Sequence, residues 1–486
     1  MKRILLIGTG PSGWAVLNSM SNLDNVWVID GDAQIDFKKV ASSKHLGLKR
    51  KFGSSHSFGR VKDSEILDVS NYALPLSYSR GGFGEVWGRG FTPYDITEYG
   101  KNNCFEKLDL YPAMKRILSK IPYLHSPSDL DLRFGAENLW GQPGISSKLD
   151  LHPFFSEILQ KGKRKDTDNS ILVGTPNQFV DNAKCTRCTL CLTGCPYGAL
   201  FDPGDEVNKM IFSGKLRRQN ILKGKVIRIS RSENVNIVEY ISNGQISKIE
   251  FDEVIISAGP LSTLLILIKS KLLPHTFQLP DSQVFYAALF SVKRVQVSTN
   301  TPELGQILVY PREGKDFDFQ LSLYAPSKTS QMRISETIFK GKLSRLKIPR
   351  FFTDHLIPVI GFLPQEASGF LQVSQDGDSV TVNRENNKTS RQFAQFSFAK
   401  AKKAFLNMGL HFVPFSLRLP DVGAGFHLGA SLPLGGEFID RSGYLKSNRT
   451  IRIMDASLLP KIPAGGHTFL AMALIDSLMR DQTCES

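Results

Sequence analysis

The chain has 486 residues, 41% of them apolar and 22% charged, and a formal net charge of +14. This length can bury more than one core, so two lobes are expected, and the composition excludes disordered and fibrous classes. No run reaches the ~18 apolar residues of a membrane-spanning helix, and four of the six cysteines fall in one short stretch, which excludes a disulfide framework and points to a reducing compartment, the cytoplasm.

Met-Lys-Arg-Ile-Leu-Leu-Ile-Gly opens the chain with only four consecutive apolar residues and no cleavage site, so it reads as a first strand, not a signal peptide. The strand at residues 4–7 runs into Gly8-Thr-Gly10-Pro11-Ser12-Gly13 and a helical stretch to Met20. A second apolar run, Val26–Ile29, ends in Asp30, twenty residues beyond Gly10. Strand, glycine loop, helix, strand and acid together form a dinucleotide-binding fingerprint. The glycines let backbone N–H groups approach a pyrophosphate at the helix N-terminus, and the carboxylate accepts ribose hydroxyls. The fingerprint alone leaves FAD and NAD both open.

Next comes Arg80-Gly81-Gly82-Phe-Gly-Glu-Val-Trp87-Gly-Arg-Gly-Phe91, glycine-dense as a loop crossing close to a flat ring requires. Trp87 either stacks near that ring or packs in the core. Residues 101–180 are punctuated by Pro and Gly and read as a lid or interface segment. They lead to Cys185-x2-Cys188-x2-Cys191-x3-Cys195-Pro196, the spacing of bacterial ferredoxins. Four thiolates within eleven residues suit an iron–sulfur cluster better than zinc, whose ribbons place two C-x2-C pairs farther apart. In two-cluster ferredoxins the fourth such Cys serves the other cluster. Here Cys195 completes a single [4Fe–4S] cluster, a distant Cys (Cys104 or Cys484) does so, or the site holds [3Fe–4S].

Lys225–Ser230 reads as a strand, followed by a meander and a buried strand ending in Ser257-Ala258-Gly259. Residues 276–419 alternate apolar and polar, as in Val284–Val292 and Phe370–Val382, and predict an antiparallel sheet. Basic residues cluster near 38–51, at 161–165 and in 328–352. The last cluster is irregularly amphipathic, and reads either as a solvated helix packed on the core or as a segment lying on an anionic membrane face. No nucleic-acid reader motif accompanies the charge. Near the end, His427 sits in Gly425-Phe-His-Leu-Gly429, and Asp455-Ala-Ser-Leu-Leu-Pro460 precedes Gly465-Gly466-His467 and an apolar helix. His427 and His467 stand out by context as proton acceptors or, alternatively, as capping or packing residues; His355 and His411 read as packing or solvent-facing.

These segments, in this order, resemble the glucose–methanol–choline (GMC) oxidoreductases, and the likeness spans nearly the whole chain. It implies an α/β fold: a Rossmann-type FAD domain from 1–100, 200–275 and 420–486, an α+β substrate domain on an antiparallel sheet over 276–419, and a small iron–sulfur insert at 181–199. It implies noncovalent FAD held by Gly8–Gly13 and Asp30, with Gly81, Gly82, Ala258, Gly259 and Gly466 around it. Val226 would lie by the adenine and Asp455 by the ribityl–pyrophosphate region. Covalent members use a His or Cys in the flavin loop, and residues 80–91 contain neither. The resemblance gives His427 and His467 the role of taking the substrate hydroxyl proton, although many members have His-Pro where this chain has His427-Leu428. Some bacterial members carry a Cys-rich insert at the place of 185–195; in sugar dehydrogenases it relays electrons from the flavin. The expected activity is therefore dehydrogenation of an alcohol group, of a sugar above all, with electrons passed to a ferredoxin, cytochrome or quinone. Reduction of a ketone or activated alkene, redox-neutral epimerisation, and an electron carrier with a structural cluster are the competing readings. The expected location is cytoplasmic, with the inner membrane face as a peripheral site.

Overall fold

The computed structural model describes residues 2–31, 66–68, 76–85, 89–94, 105, 108–141, 145–165, 170–188, 191, 195, 197–295, 304–312, 318–325 and 353–480. Trp87, Cys104, Cys484 and the basic clusters at 38–51 and 328–352 lie outside the described residues.

A six-stranded sheet organises the first lobe, in the order Tyr444–Leu445, Asn448–Ile453, Glu253–Ile256, Ile4–Ile7, Val26–Asp30, Ile221–Lys223. All neighbours pair in parallel except the 444–445/448–453 hairpin at one edge. Leu5, Leu6, Val28, Val254 and Ile256 are fully buried, as strands covered on both faces must be, and this explains why they read as unbroken apolar runs. The helices Pro11–Ser19, Pro260–Lys269 and Thr468–Arg480 belong to the same core. The meander Lys225–Ser232, Val235–Ser242, Gln245–Phe251 turns at Asn243-Gly244, both at positive φ (51° and 79°), as a tight two-residue hairpin requires.

The second lobe is an antiparallel six-stranded sheet, in the order Leu410–Phe412, Val284–Ser291, Leu356–Phe362, Gln320–Tyr324, Gly305–Pro311, Ile171–Gly174. The helices Pro153–Lys165 and Ser390–Asn407 contribute to its separate apolar core. The chain interleaves more than the division by sequence anticipates. Strand 171–174, inside the segment read as a lid, pairs with 305–311. Conversely, Thr276–Pro280, Phe370–Asp376, Ser379–Glu385 and Ile66–Asp68 form another sheet, whose Leu279, Leu371, Val373, Val380 and Val382 pack into the core of the first lobe. Alternation reports that one face of a strand is buried, not which lobe buries it.

A small sheet joins the lobes, in the order Gly90–Phe91, Asn177–Gln178, Tyr123–His125, Ser146–Lys148. The cysteine run leaves it after Val180 and returns at Leu200, which bridges back to Val180. Among the described residues no helix is long and apolar enough to cross a membrane.

Candidate active site

A cavity of about 690 Å³ runs from the ends of the parallel strands to the antiparallel sheet, bounded by residues of both lobes. At the first end, strand 4–7 delivers Gly8 at φ 94°, and a Cβ there would lie 2.5 Å from the Ser257 carbonyl. Gly13 meets the chain just as closely, with a Cβ position 2.1 Å from the Gly8 carbonyl. Gly10 is different: a Cβ there meets only the Gly81 carbonyl, at 3.7 Å. The helix that follows has Gly10 as its N-cap, Pro11 at its start and no side-chain cap, so its leading N–H groups remain available to an anion.

Asp30 is buried at the end of the second strand. Its Oδ2 accepts from the Thr9 hydroxyl at 3.1 Å and from Arg80 Nε at 2.8 Å, while Oδ1 is buried without a partner in the protein. An acceptor left open beside a helix N-terminus suits ribose hydroxyls. Thr9 also accepts from the Gly81 N–H at 3.0 Å, which ties the two glycine loops together. Behind them, the helix Pro203–Phe212 is capped by Asp202, whose Oδ1 accepts from the Gly204 N–H at 2.8 Å. A Cβ on Gly81 would lie 2.8 Å from that same nitrogen, so this glycine serves packing between loop and helix.

Gly8, Gly10, Pro11, Ser12, Asp30, Gly82, Val226, Ala258, Gly259, Asp455 and Gly466 all line the cavity, whereas Gly13 and Gly81 pack behind it. The register of strand 225–232 shifts between Val226 and Arg228, and Val226 and Ile227 both reach the cavity wall. Lys225 beside them is lowered to about 8, by burial first and then by Lys269. Asp455 is buried, and both of its oxygens are engaged within the protein: Oδ2 accepts from Thr263 at 2.5 Å and Oδ1 from the Ser457 N–H at 2.9 Å. Burial pushes its carboxyl up.

At the other end His427 and His467 face each other with ring centroids 5.9 Å apart. Each Nδ1 is buried without a well-aligned hydrogen bond, while the backbone of Gly425 lies close to the His427 ring and that of Leu428 and Gly465 close to the His467 ring. Burial, and for His427 the nearby His467, lowers them to about 3 and about 4, so both rings are neutral. Phe362 meets His427 edge-on at 4.7 Å, and Phe426, at φ 59°, stacks on Phe83 of the second glycine loop at 4.9 Å. The His427 segment is anchored by the Ser282 N–H, which donates to its carbonyl at 3.0 Å. Next to Ser282, fully buried Asp281 accepts from the Gly423 N–H at 2.8 Å, and burial raises it to about 7. The His467 segment is clamped too. Tyr94 donates to the Ala464 carbonyl at 3.3 Å, and a Cβ on Gly465 would lie 2.1 Å from Gln320 Oε1.

Sequence reasoning did not find Arg80 as the partner of Asp30, Asp281 behind His427, or the polar wall of Gln178, Gln320 and Ser322. Each comes from a strand or loop distant in the chain, and no local spacing signals it. Gln178 donates to the Gly305 carbonyl at 2.6 Å and keeps a buried Oε1 unpartnered.

The cysteine run packs against the small sheet, beside Leu124 and Val180. Cys191 is buried, Cys185, Cys188 and Cys195 are half-buried, and none of the four forms a disulfide. Cys191, flanked by Cys185 and Cys195, joins an apolar cluster with Leu124, Leu149, Val180, Leu200 and Leu304. The Ala199 N–H donates to Cys195 Sγ at 3.4 Å. Among the described residues, however, no three His, Cys, Asp or Glu side chains converge as a metal-binding group. The spacing suits a cluster, although these side chains are not gathered as its ligands here.

The structure is similar to that of pyridoxine 4-oxidase from Mesorbium loti, with a TM-score of 0.64 over 100% of both chains at 14% identity. This shows a shared fold. No family model matches the sequence. No curated protein matches it either.

Proposed function

We propose that the chain is an FAD-dependent oxidoreductase of the GMC type that oxidises an alcohol carbon. One observation carries this reading: two neutral histidines, each with an unpartnered buried nitrogen, share a cavity with a dinucleotide cradle. The cradle fits FAD in its helix N-terminus, the open Asp30 Oδ1 and the close glycines. When bound, FAD supplies an acceptor for the hydride leaving carbon. The protein's task is to take the hydroxyl proton, and a neutral imidazole with a free nitrogen does so without first losing a proton of its own. His427 and His467 share that task, Asp281 and Tyr94 hold their segments in place, and the aromatic wall of Phe362 excludes water. Gln178, Gln320 and Ser322 give the substrate end several hydrogen-bond groups, which favours a polyhydroxylated molecule such as a sugar. The likeness in fold to pyridoxine 4-oxidase is consistent with this reading.

We infer further that Cys185, Cys188, Cys191 and Cys195 hold an iron–sulfur cluster. The reading rests on their spacing, the Val180–Leu200 clamp, the shared apolar surroundings and the N–H donated to Cys195. The enzyme then works as a dehydrogenase with an external acceptor. The test is anaerobic: purified protein reconstituted with FAD, iron and sulfide is titrated with a panel of alcohols and sugars while flavin absorbance is followed. Bleaching by substrate alone supports the dehydrogenase. Bleaching only by reduced ferredoxin or dithionite supports a reductase instead.

A further inference from the structure

We propose that the pocket bounded by His125, Asp131 and Trp140 is a second small-molecule site, one that takes the ring of a quinone-type electron acceptor. The inference rests on the dehydrogenase reading, which requires an exit for two electrons, but the site is argued from its own geometry.

The pocket, about 540 Å³ and open to solvent, lies at the edge of the small sheet formed by strands 123–125 and 146–148. His125, at the end of strand 123–125, has a side chain only 9% exposed, and the Trp140 ring stacks on it at 4.1 Å and 16°. Its Nδ1 lies 2.7 Å from Asn177 Oδ1. The Asn177 amide nitrogen donates to the Phe91 carbonyl at 3.5 Å, so the amide oxygen must face the imidazole, and Nδ1 carries the ring proton. Nε2 is then the lone-pair nitrogen, buried and without a hydrogen-bond partner. Asp131 does not satisfy it. Its Oδ2 is 3.8 Å away and accepts from the Ser128 N–H at 2.8 Å, and its Oδ1 accepts from Trp140 Nε1 at 2.9 Å. A packing histidine would have both nitrogens bonded; this one keeps a polar atom for a ligand.

The chemistry of the walls selects the ligand. Trp140 and Pro127 offer flat apolar surface, and Leu132, 68% exposed, extends it at the rim, while Lys148 lines the same pocket. Neutral Nε2 accepts a bond from a hydroquinone hydroxyl; protonated beside Asp131, it donates one to a quinone carbonyl. A flat ring whose oxygens gain and lose protons meets both states. Position supports the same assignment. The order of the small sheet puts strand 90–91 and Gln178 on the main cavity, and strands 123–125 and 146–148 on this pocket. From 90–91 to 123–125 is two strand spacings, about 10 Å. The overall reaction balances: the alcohol loses two electrons and two protons to become a carbonyl, and the quinone gains two of each to become a hydroquinone.

The test uses FAD-loaded holoenzyme with menadione as the quinone probe and ferricyanide as a small acceptor that needs no ring site. Menadione should quench tryptophan fluorescence saturably, and Trp140→Phe should remove most of that quench. His125→Gln and Leu132→Asp should each raise the KM for menadione at least tenfold and leave ferricyanide reduction unchanged. Leu132 is exposed, so its variant keeps the fold even if His125→Gln does not. Wild-type menadione KM in Leu132→Asp, or an unsaturable quench in the unaltered enzyme, would overturn the site. Failure of every alcohol to bleach the flavin would instead sink the dehydrogenase reading, because the fluorescence titration reports on this pocket independently.

Discussion

Gly10 and Gly13 stand three residues apart in one motif, yet the structure gives them different duties, and substitution should separate them. A Cβ at Gly13 collides with the Gly8 carbonyl at 2.1 Å, so Gly13→Ala should destabilise the protein even without cofactor, by about 1–3 kcal/mol as overpacking does. At Gly10 the nearest atom is 3.7 Å away, so Gly10→Ala should keep the melting temperature of the apoprotein and lose FAD. Thermal melting with and without FAD, together with the flavin content after gel filtration, checks both. The histidines give a second prediction. Replacing His427 or His467 by Asn should slow substrate-driven flavin bleaching by about 10²–10⁴-fold with FAD retained. Because burial depresses both to about 3 and about 4, the proton-accepting neutral form persists well below the ordinary imidazole value of 6.5. The bleaching rate should therefore stay flat from pH 7.5 to about pH 5, where a solvent-exposed histidine base would already be mostly protonated. The sign for stability follows from the same shifts. The unfolded histidines take up protons below 6.5 and the folded ones do not, so their contribution is complete above 6.5 and falls as the pH drops toward 4.

Among the elements, the last helix illustrates how the lobe is tied together. Asp476, 1% exposed, accepts from Ser19 Oγ at 2.8 Å, Arg116 Nε at 2.6 Å and Arg480 Nε at 3.2 Å, and so joins helices 11–19, 111–118 and 468–480. Asp476→Ala leaves these donors facing a buried gap. It should lower the denaturant midpoint by an amount equal to about 1–3 kcal/mol, with the flavin absorbance following the same transition. The cysteine loop calls for a compositional measurement. Anoxically reconstituted protein should carry about four irons with matching sulfide, and Cys188→Ser should lose most of it. Iron at zinc-like stoichiometry, or none, removes the cluster from the reading and leaves the flavin site intact. Elements with a strong local signal were legible in advance. Strand, glycine loop, helix and Asp30 follow one another within thirty residues, and Asn243-Gly244 sets its own hairpin. The small sheet was not legible, because its strands of two or three residues have no period to read and hold together only through partners up to 88 positions apart, as between Gly90 and Gln178.

For the molecule as a whole, the main cavity is lined by residues of both lobes, so ligand binding there should stabilise both. Saturating FAD at a hundredfold excess over its Kd should add about 2.7 kcal/mol, seen as one upward-shifted melting transition. The sequence alone determined the parts whose pattern is local: the glycine loop at a helix N-terminus, the acid after the second strand, the cysteine spacing and the two histidines in glycine-rich turns. Only the tertiary structure decided which distant side chains complete them. Arg80 reaches Asp30 across fifty positions, Asp281 bonds the Gly423 N–H from 142 positions away, and strand 171–174 forms the edge of the antiparallel sheet. The physical reason is one of range. Backbone propensity and glycine sterics act over a few neighbouring residues, whereas a buried charge or an open sheet edge finds its partner wherever chain folding brings one within hydrogen-bond distance.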